Sequence, residues 1–447
     1  MERNISILFD KNTIAIDINK RVYVIIACVV MLLSHLFSPI ESTIAITLFL
    51  GGLFLSVETS VCIYICSKII QIEYTDLHSR LLPIMLVIIC LYAFFKYGLF
   101  KRLNRVFIPC LLLWFCSLLS IVLGYKTTML SSLFVLMQLL MILTVTYFSK
   151  KTISLFIIGF VVSGLCICLY TFYLYITGAA TLFGVSLAYG DGEEAGQIKS
   201  LAIAVAVPAF YYVYNLFYGK TGWIKKTFYV FIILLCILVV VLTYSRGVLI
   251  ALAASAALLI LSFFKDKKIM FKIIIACVVF VLLYNTLMQI DINEDKMFGS
   301  IEGANGRTDI WAYFFAKMQN DGLLRLLFGF GPGDSKRITD GSSFAGYYSH
   351  SAILDFFFSY GFFGLLFISY ILWYTFKNLW KNKDVFCLGL FVLTVLMFST
   401  HGTSNNVIFY GLLSICIGAS LENHDNTMMN KILRTMLTYL KSNRFDY

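Results

Sequence analysis

Residues 226–264 read KTFYVFIILLCILVVVLTYSRGVLIALAASAALLILSFF. Two apolar runs, 226–243 and 247–264, flank the polar break Thr243-Tyr244-Ser245-Arg246-Gly247. Each run approaches the ~20 residues that carry an α-helix across a bilayer. A break this short only lets the chain turn at a membrane face and go back. A cation, Arg246, sits in that turn, and everything else in the chain bears on why.

Similar runs recur throughout. Hydrophobic residues make up 60% of the 447 residues and charged residues only 13%, against ~25% charged in a soluble domain. The fold class is therefore all-α, a polytopic integral membrane protein. Spans are predicted at 22–37, 41–56, 58–72, 81–100, 105–123, 129–148, 153–177, 197–218, 226–243, 247–264, 269–288, 349–376, 384–400 and 405–420. That makes about 12–14 transmembrane helices. The smaller number applies if 41–72, interrupted by Glu58 and Lys68, is one long helix or a re-entrant pair. Four regions follow: an N-terminal transmembrane bundle (1–288), a large polar loop (289–348), C-terminal transmembrane helices (349–420) and a tail (421–447). The first twenty residues are mixed and polar and lead into a full span, so no cleavable signal peptide is expected.

The net charge of +11 reports topology. One set of connections carries Lys101/Arg102/Arg105, Lys150/Lys151, Lys220/Lys225/Lys226, Lys265/Lys267/Lys268 and Lys377/Lys381/Lys383, and both termini are basic. The opposite short connections carry only Arg80, Lys126 and Arg246. Positive residues stay inside, so both termini are expected in the cytoplasm and the 289–348 loop outside. The acidic segment 178–196 and the histidines His35, His78, His350 and His401 fall at or near that same outer face. Any chemistry is thus expected on the periplasmic side. The twelve cysteines all fall in apolar segments and read as small buried hydrophobes.

Within the loop, RTDIWAYFFAKMQ (307–319) repeats Ile310, Trp311, Phe314, Phe315 and Met318 on one helical face. This predicts an amphipathic helix whose aromatics suit a membrane–water interface. Gly329-Phe330-Gly331-Pro332-Gly333 must turn, and its amides, Gly331 above all, are candidates to cradle a phosphate. Each candidate has a plainer reading. Arg246 would serve as an anchor snorkelling to water, or as a bidentate phosphate ligand. Arg307 simply opens a helix, although a cation there opposes the macrodipole. His350 is an interfacial histidine or a base, five residues before Asp355, an ionisable group read as lying inside a span. His401, in STHGTSNN, binds sugar hydroxyls or caps two helices.

These residues in this order carry a resemblance. A Ser-Arg-Gly between two spans (Thr243–Gly247) precedes Gly306-Arg307 with Trp311, then the Gly-x-Gly-x-Gly turn, then His350 opening a segment that reaches Tyr360-Gly361-Phe362-Phe363-Gly364. The chain resembles the O-antigen ligase and O-antigen polymerase superfamily of bacterial envelope enzymes. One departure is Ser351 directly after His350, where the family often has Asn. The resemblance implies a GT-C-like architecture in the inner membrane. It also implies a glycosyltransferase that takes an oligosaccharide from undecaprenyl pyrophosphate. Arg246 and Arg307 would neutralise the leaving pyrophosphate, and His350 would take the acceptor hydroxyl's proton. Tyr244, Ser245, Gly331, Asp355 and His401 would line the substrate site. No metal, no cofactor and no nucleic acid is implied. The partners are the lipid-linked oligosaccharide, membrane lipid and, for a polymerase, a chain-length regulator protein. Polymerase is the reading the long chain favours. A ligase acting on lipid A-core is the alternative, and a non-enzymatic flippase a further one. A flippase should show two pseudo-repeated halves, which this chain does not.

The charge asymmetry makes one directly testable claim. Cysteines placed at Ser335 and Ser343 should react with a membrane-impermeant thiol reagent on spheroplasts, and one at Ser442 should not. The reverse labelling pattern would overturn the orientation.

Overall fold

The computed structural model describes residues 11–37, 40–70, 76–96, 105–123, 129–147, 150–177, 195–243, 245–263, 307–332, 351–400 and 406–421. Among the described residues the protein is helical, without a β-strand. The helices are α1 (Lys11–Phe37), α2 (Glu41–Leu55), α3 (Val57–Ile69), α4 (Asp76–Lys96), α5 (Phe107–Val122), α6 (Met129–Tyr147), α7 (Lys150–Ile176), α8 (Ala195–Tyr218), α9 (Trp223–Leu242) and α10 (Arg246–Phe263). After the loop come α11 (Arg307–Asn320), α12 (Leu323–Phe328), α13 (Ala352–Asn382), α14 (Val385–Thr400) and α15 (Val407–Leu421). Five of these are long and apolar enough to cross a membrane, and several shorter apolar helices accompany them. This is a polytopic membrane protein.

Most helix ends fall within a few residues of the predicted spans, because a chain in lipid must bond its backbone internally. The predicted span 269–288 lies outside the described residues. Segment 41–72 is two helices, not one long one. Ser56, in extended backbone, ends α2 and caps α3 by accepting from the Thr59 amide at 3.3 Å. The Ser60 hydroxyl then donates back to the Phe49 carbonyl at 2.8 Å.

Burial follows composition along each helix. α15 is enclosed on all sides, with Ile408 to Ser420 buried throughout. α9 buries only Ile232, Cys236, Val239 and Val240, one stripe at helical spacing. Trp223, Ile224, Phe228, Phe231, Leu234 and Leu238 are exposed on the other side, as on a helix at the lipid boundary. Small residues set the closest crossings. At Gly164 of α7 the Ala204 carbonyl and Pro208 ring of α8 come within the reach of a methyl group. Pro208 cannot donate to that carbonyl, so the strained turn of α8 lies where α7 has no side chain. The Cys62 and Cys66 sulfurs of α3 converge in the same way on Gly159 of α7. The described cysteines are buried and free of disulfides.

The largest departure from a plain bundle is in α13. Gly361 has φ 66° and ψ −162°, which breaks the helix into two segments, and that region of backbone space is essentially open to glycine alone. Gly329, after α12, has nearly the same angles, φ 74° and ψ −168°. The two glycines face each other's chains. A Cβ on Gly361 would overlap the Leu327 carbonyl and the Phe328 amide, and one on Gly329 would overlap Ser359 and the Tyr360 amide. The loop backbone and the helix backbone thus touch directly, and the Phe330 and Gly331 amides each donate at 2.8 Å to the carbonyls of Phe358 and Ser359. A helix broken at Gly361 cannot bond these carbonyls to its own next turn, so the turn supplies the donors.

Replacing Gly361 with alanine adds backbone strain on the order of 2–3 kcal/mol before the overlap is counted. Gly361→Ala should therefore lower the thermal stability of the detergent-purified protein sharply. Gly222→Ala, at φ −66° and with open space around it, should leave stability almost unchanged. Equal stabilities for the two variants would refute the backbone contact.

Candidate functional site

The site is built where several helices end at one face of the bundle, here called the loop face. α9 closes at Thr243, whose hydroxyl donates to the Val240 carbonyl at 2.7 Å. Ser245, buried, begins the next helix: its carbonyl accepts from Val248 and Leu249 at 3.0 and 3.1 Å. Arg246 is therefore the first residue of α10, and Arg307 is the first residue of α11. Two arginines at two helix starts each place a cation where the dipole is already positive. Such a start favours an anion.

Helix directions place the start of α10 with the ends of other helices. Gly389, early in α14, faces Leu259, late in α10, so α10 and α14 run antiparallel. Arg246 lies at the same end as Ser399 and Thr400. Phe398 of α14 packs on Phe409 of α15 at 5.0 Å between ring centroids, and Phe356 of α13 packs on Phe409 and Tyr410 at 6.1 and 6.4 Å. The first turns of α13 and α15, the last turn of α14 and the first turn of α10 thus share the loop face.

α11 closes the arrangement from the side. Ile310, Phe314 and Met318, one residue per turn, are buried against Phe330 and Phe358, and Phe314 stacks on Phe358 at 4.6 Å. The predicted amphipathic helix is there, but its apolar stripe faces protein rather than the membrane interface. Periodicity shows that a face is buried and not what buries it. Phe315 alone of the stripe remains exposed.

Asp355 is buried in the first turn of α13, a helix start that suits a carboxylate, and Tyr410 lies within its electrostatic range. Ser351 caps α13, its hydroxyl accepting from the Leu354 amide at 3.5 Å. Serine and asparagine are both preferred helix caps, so an asparagine at this position could fill the same capping role. The Gly331 amide is committed to Ser359, as described above. That turn is held to α13, and what it offers an anion must come from elsewhere than this N–H. Tyr244, His350 and His401 lie outside the described residues, as do the side chains of Arg246 and Arg307. Their chain neighbours Ser245, Ser351 and Thr400 all belong to the loop face.

The sequence reading passed over Arg325. It is buried, and its guanidinium donates to the Gly329 carbonyl at 3.2 Å and to the Leu123 carbonyl, just past the end of α5, at 3.3 Å. It also lies 5.9 Å from the centre of the Phe330 ring. Burial lowers its pKa to about 10, so it stays a cation at neutral pH. Arg325 therefore ties the glycine turn to the transmembrane bundle. The available signal was a lone charge inside the apolar string Leu323-Leu324-Arg325-Leu326-Leu327-Phe328.

Against known families, residues 231–369 match the family model described as O-antigen ligase. The match runs from α9 through the kink of α13 and takes in both arginine-led helix starts and the glycine turn. No curated protein matches the chain. The match thus covers the α10, α11 and α13 parts of the loop face; in that segment the chain is similar to the O-antigen ligase family, which supports the O-antigen polymerase and ligase superfamily and a polysaccharide-related glycosyl transfer.

If Ser351 acts as a cap, Ser351→Asn should keep stability and Ser351→Ala should lose about 1 kcal/mol. Thermal unfolding of the purified variants measures both. An alanine variant as stable as the parent would mean the hydroxyl serves something other than the helix.

Proposed function

We propose that this chain, with its O-antigen ligase domain at 231–369, is a polysaccharide polymerase of the bacterial inner membrane acting at its periplasmic face. It transfers a glycan from undecaprenyl pyrophosphate to a sugar hydroxyl of another lipid-linked repeat unit. The observation that carries the reading is that each of the two arginines opens a helix, Arg246 on α10 and Arg307 on α11, and that both helices fall inside the segment matching the family model. A leaving pyrophosphate accumulates negative charge as its bond to the anomeric carbon breaks. Fixed cations and helix starts stabilise that charge with little reorganisation. The acceptor oxygen forms the new bond to the same carbon and loses its proton, which His350, one residue ahead of the α13 cap, accepts. Tyr244, Ser245, Asp355 and His401 surround the sugars, and the turn around Gly331 holds the α13 end in place. The donor needs no nucleotide, because its energy is in the pyrophosphate linkage. A chain-length regulator protein is the partner this activity calls for.

A ligase would use the same machinery with lipid A-core as acceptor, and the glycan profile of a deletion strain separates the two. Core bearing a single repeat unit means that polymerisation was lost. Long lipid-linked polymer beside bare core means that ligation was lost, and the polymerase reading falls.

Arg246→Ala and Arg307→Ala should each abolish polymer while the protein remains inserted at normal levels. Lysine replacements should rescue only in part, since a point charge cannot reproduce a planar fork. His350→Gln should keep binding of the lipid-linked substrate and lose turnover; a variant that keeps about a tenth of the rate or more, with the parent's fall in rate at low pH unchanged, would leave His350 only a positioning role. Near-normal polymer from Arg246→Ala would reduce that arginine to a membrane anchor.

A further inference from the structure

α12 exposes the leucine pair that opens it. Leu323 and Leu324 are 69% and 54% exposed, while Arg325 and Leu326 of the same turn point into the protein. The pair cannot rotate inward, because the Arg325 bonds to Gly329 and Leu123 fix which side of the helix faces the bundle.

Its depth can be read from the elements that hold it. Leu123, which accepts from Arg325, ends the uncharged helix α5, so it lies at one boundary of the hydrocarbon layer. Leu327 and Phe328 abut Gly361 of α13. From Gly361 to Lys381 α13 advances roughly 30 Å at ~1.5 Å per residue, which is the thickness of a bilayer core. Lys377 and Lys381 mark the opposite boundary, with Trp373 under the Lys377 ammonium at 4.8 Å and Trp380 exposed beside them. Gly361 and Leu123 therefore give the same level independently, and α12 lies at it. On α13, Phe362 and Leu366 continue the exposed apolar surface from there towards the other face.

We propose that α12 is an interfacial anchor whose Leu323 and Leu324 insert among the phospholipid acyl chains of the leaflet at the loop face. The anchor continues the lipid-facing surface of α13, and it carries the glycine turn and the first turns of α13 at headgroup depth. The proposal rests on the level of α12 and not on the glycosyl-transfer reading, nor on which compartment the loop face meets.

The test uses the full chain with a benzophenone amino acid at Leu323, Leu324, Phe362 or Gln319, reconstituted in phosphatidylethanolamine/phosphatidylglycerol vesicles with a tritiated phosphatidylcholine tracer. Gln319, on the exposed side of α11, is the reference for water, and Phe362 the reference for lipid. Photolysis should label Leu323 and Leu324 with lipid to about the extent of Phe362, roughly fivefold or more above Gln319. Yields no higher than those at Gln319 would overturn the proposal. So would a crosslinked dimer as the main product at Leu323 and Leu324, which would assign the leucines to a second copy of this chain. The probes replace side chains that already project outward, so folding is not at stake, and normal expression of each variant confirms it.

Discussion

Two backbones meet without side chains between them where Gly329 approaches Ser359 and Gly361 approaches Leu327, and the organisation of the loop face follows from that contact. Breaking α13 at Gly361 is costly in a membrane protein, because each carbonyl freed inside or beside lipid needs a donor. The turn after α12 provides two, from Phe330 and Gly331, to the carbonyls of Phe358 and Ser359. Once these bonds are made, the position of everything attached to the turn is determined. Arg325 lands on the end of α5, Phe330 lands under α11, and the stripe Ile310, Phe314 and Met318 has a surface to bury against.

Electrostatics add a second layer of order on this frame. Arg246 and Arg307 are each the first residue of a helix, and a buried carboxylate, Asp355, occupies the first turn of a third, α13. Placing arginine at a positive helix end raises the local potential and leaves the chain less stable than a neutral residue would.

The bundle was legible in the sequence because lipid imposes a coarse rule, long apolar runs closed by polar breaks, and the observed helices from α4 to α10 obey it within a few residues. The break at Thr243–Gly247 was read as a turn at a membrane face, and Ser245 and Arg246 do open a helix there. Finer features were hidden for identifiable reasons. The interruption of α13 rests on one glycine among aromatic residues, in a string that reads as continuous span. The buried face of α11 shows in its periodicity, but the identity of its neighbour depends on a chain fold forty residues later. Arg325 was hidden because it donates to main-chain carbonyls, those of Leu123 and Gly329. Contacts to backbone leave no trace in residue types.

The glycine contact also defines a unit of inheritance. Segments 307–332 and 351–361 are separated in the chain by residues outside the described structure, yet they share hydrogen bonds, a stacked aromatic pair and mutually exclusive space. Neither can be exchanged alone for the corresponding piece of a relative unless the relative places its glycines and its arginine in the same register. A chimera must therefore carry both segments together, and its natural joints lie in front of Arg307 and beyond Gly361.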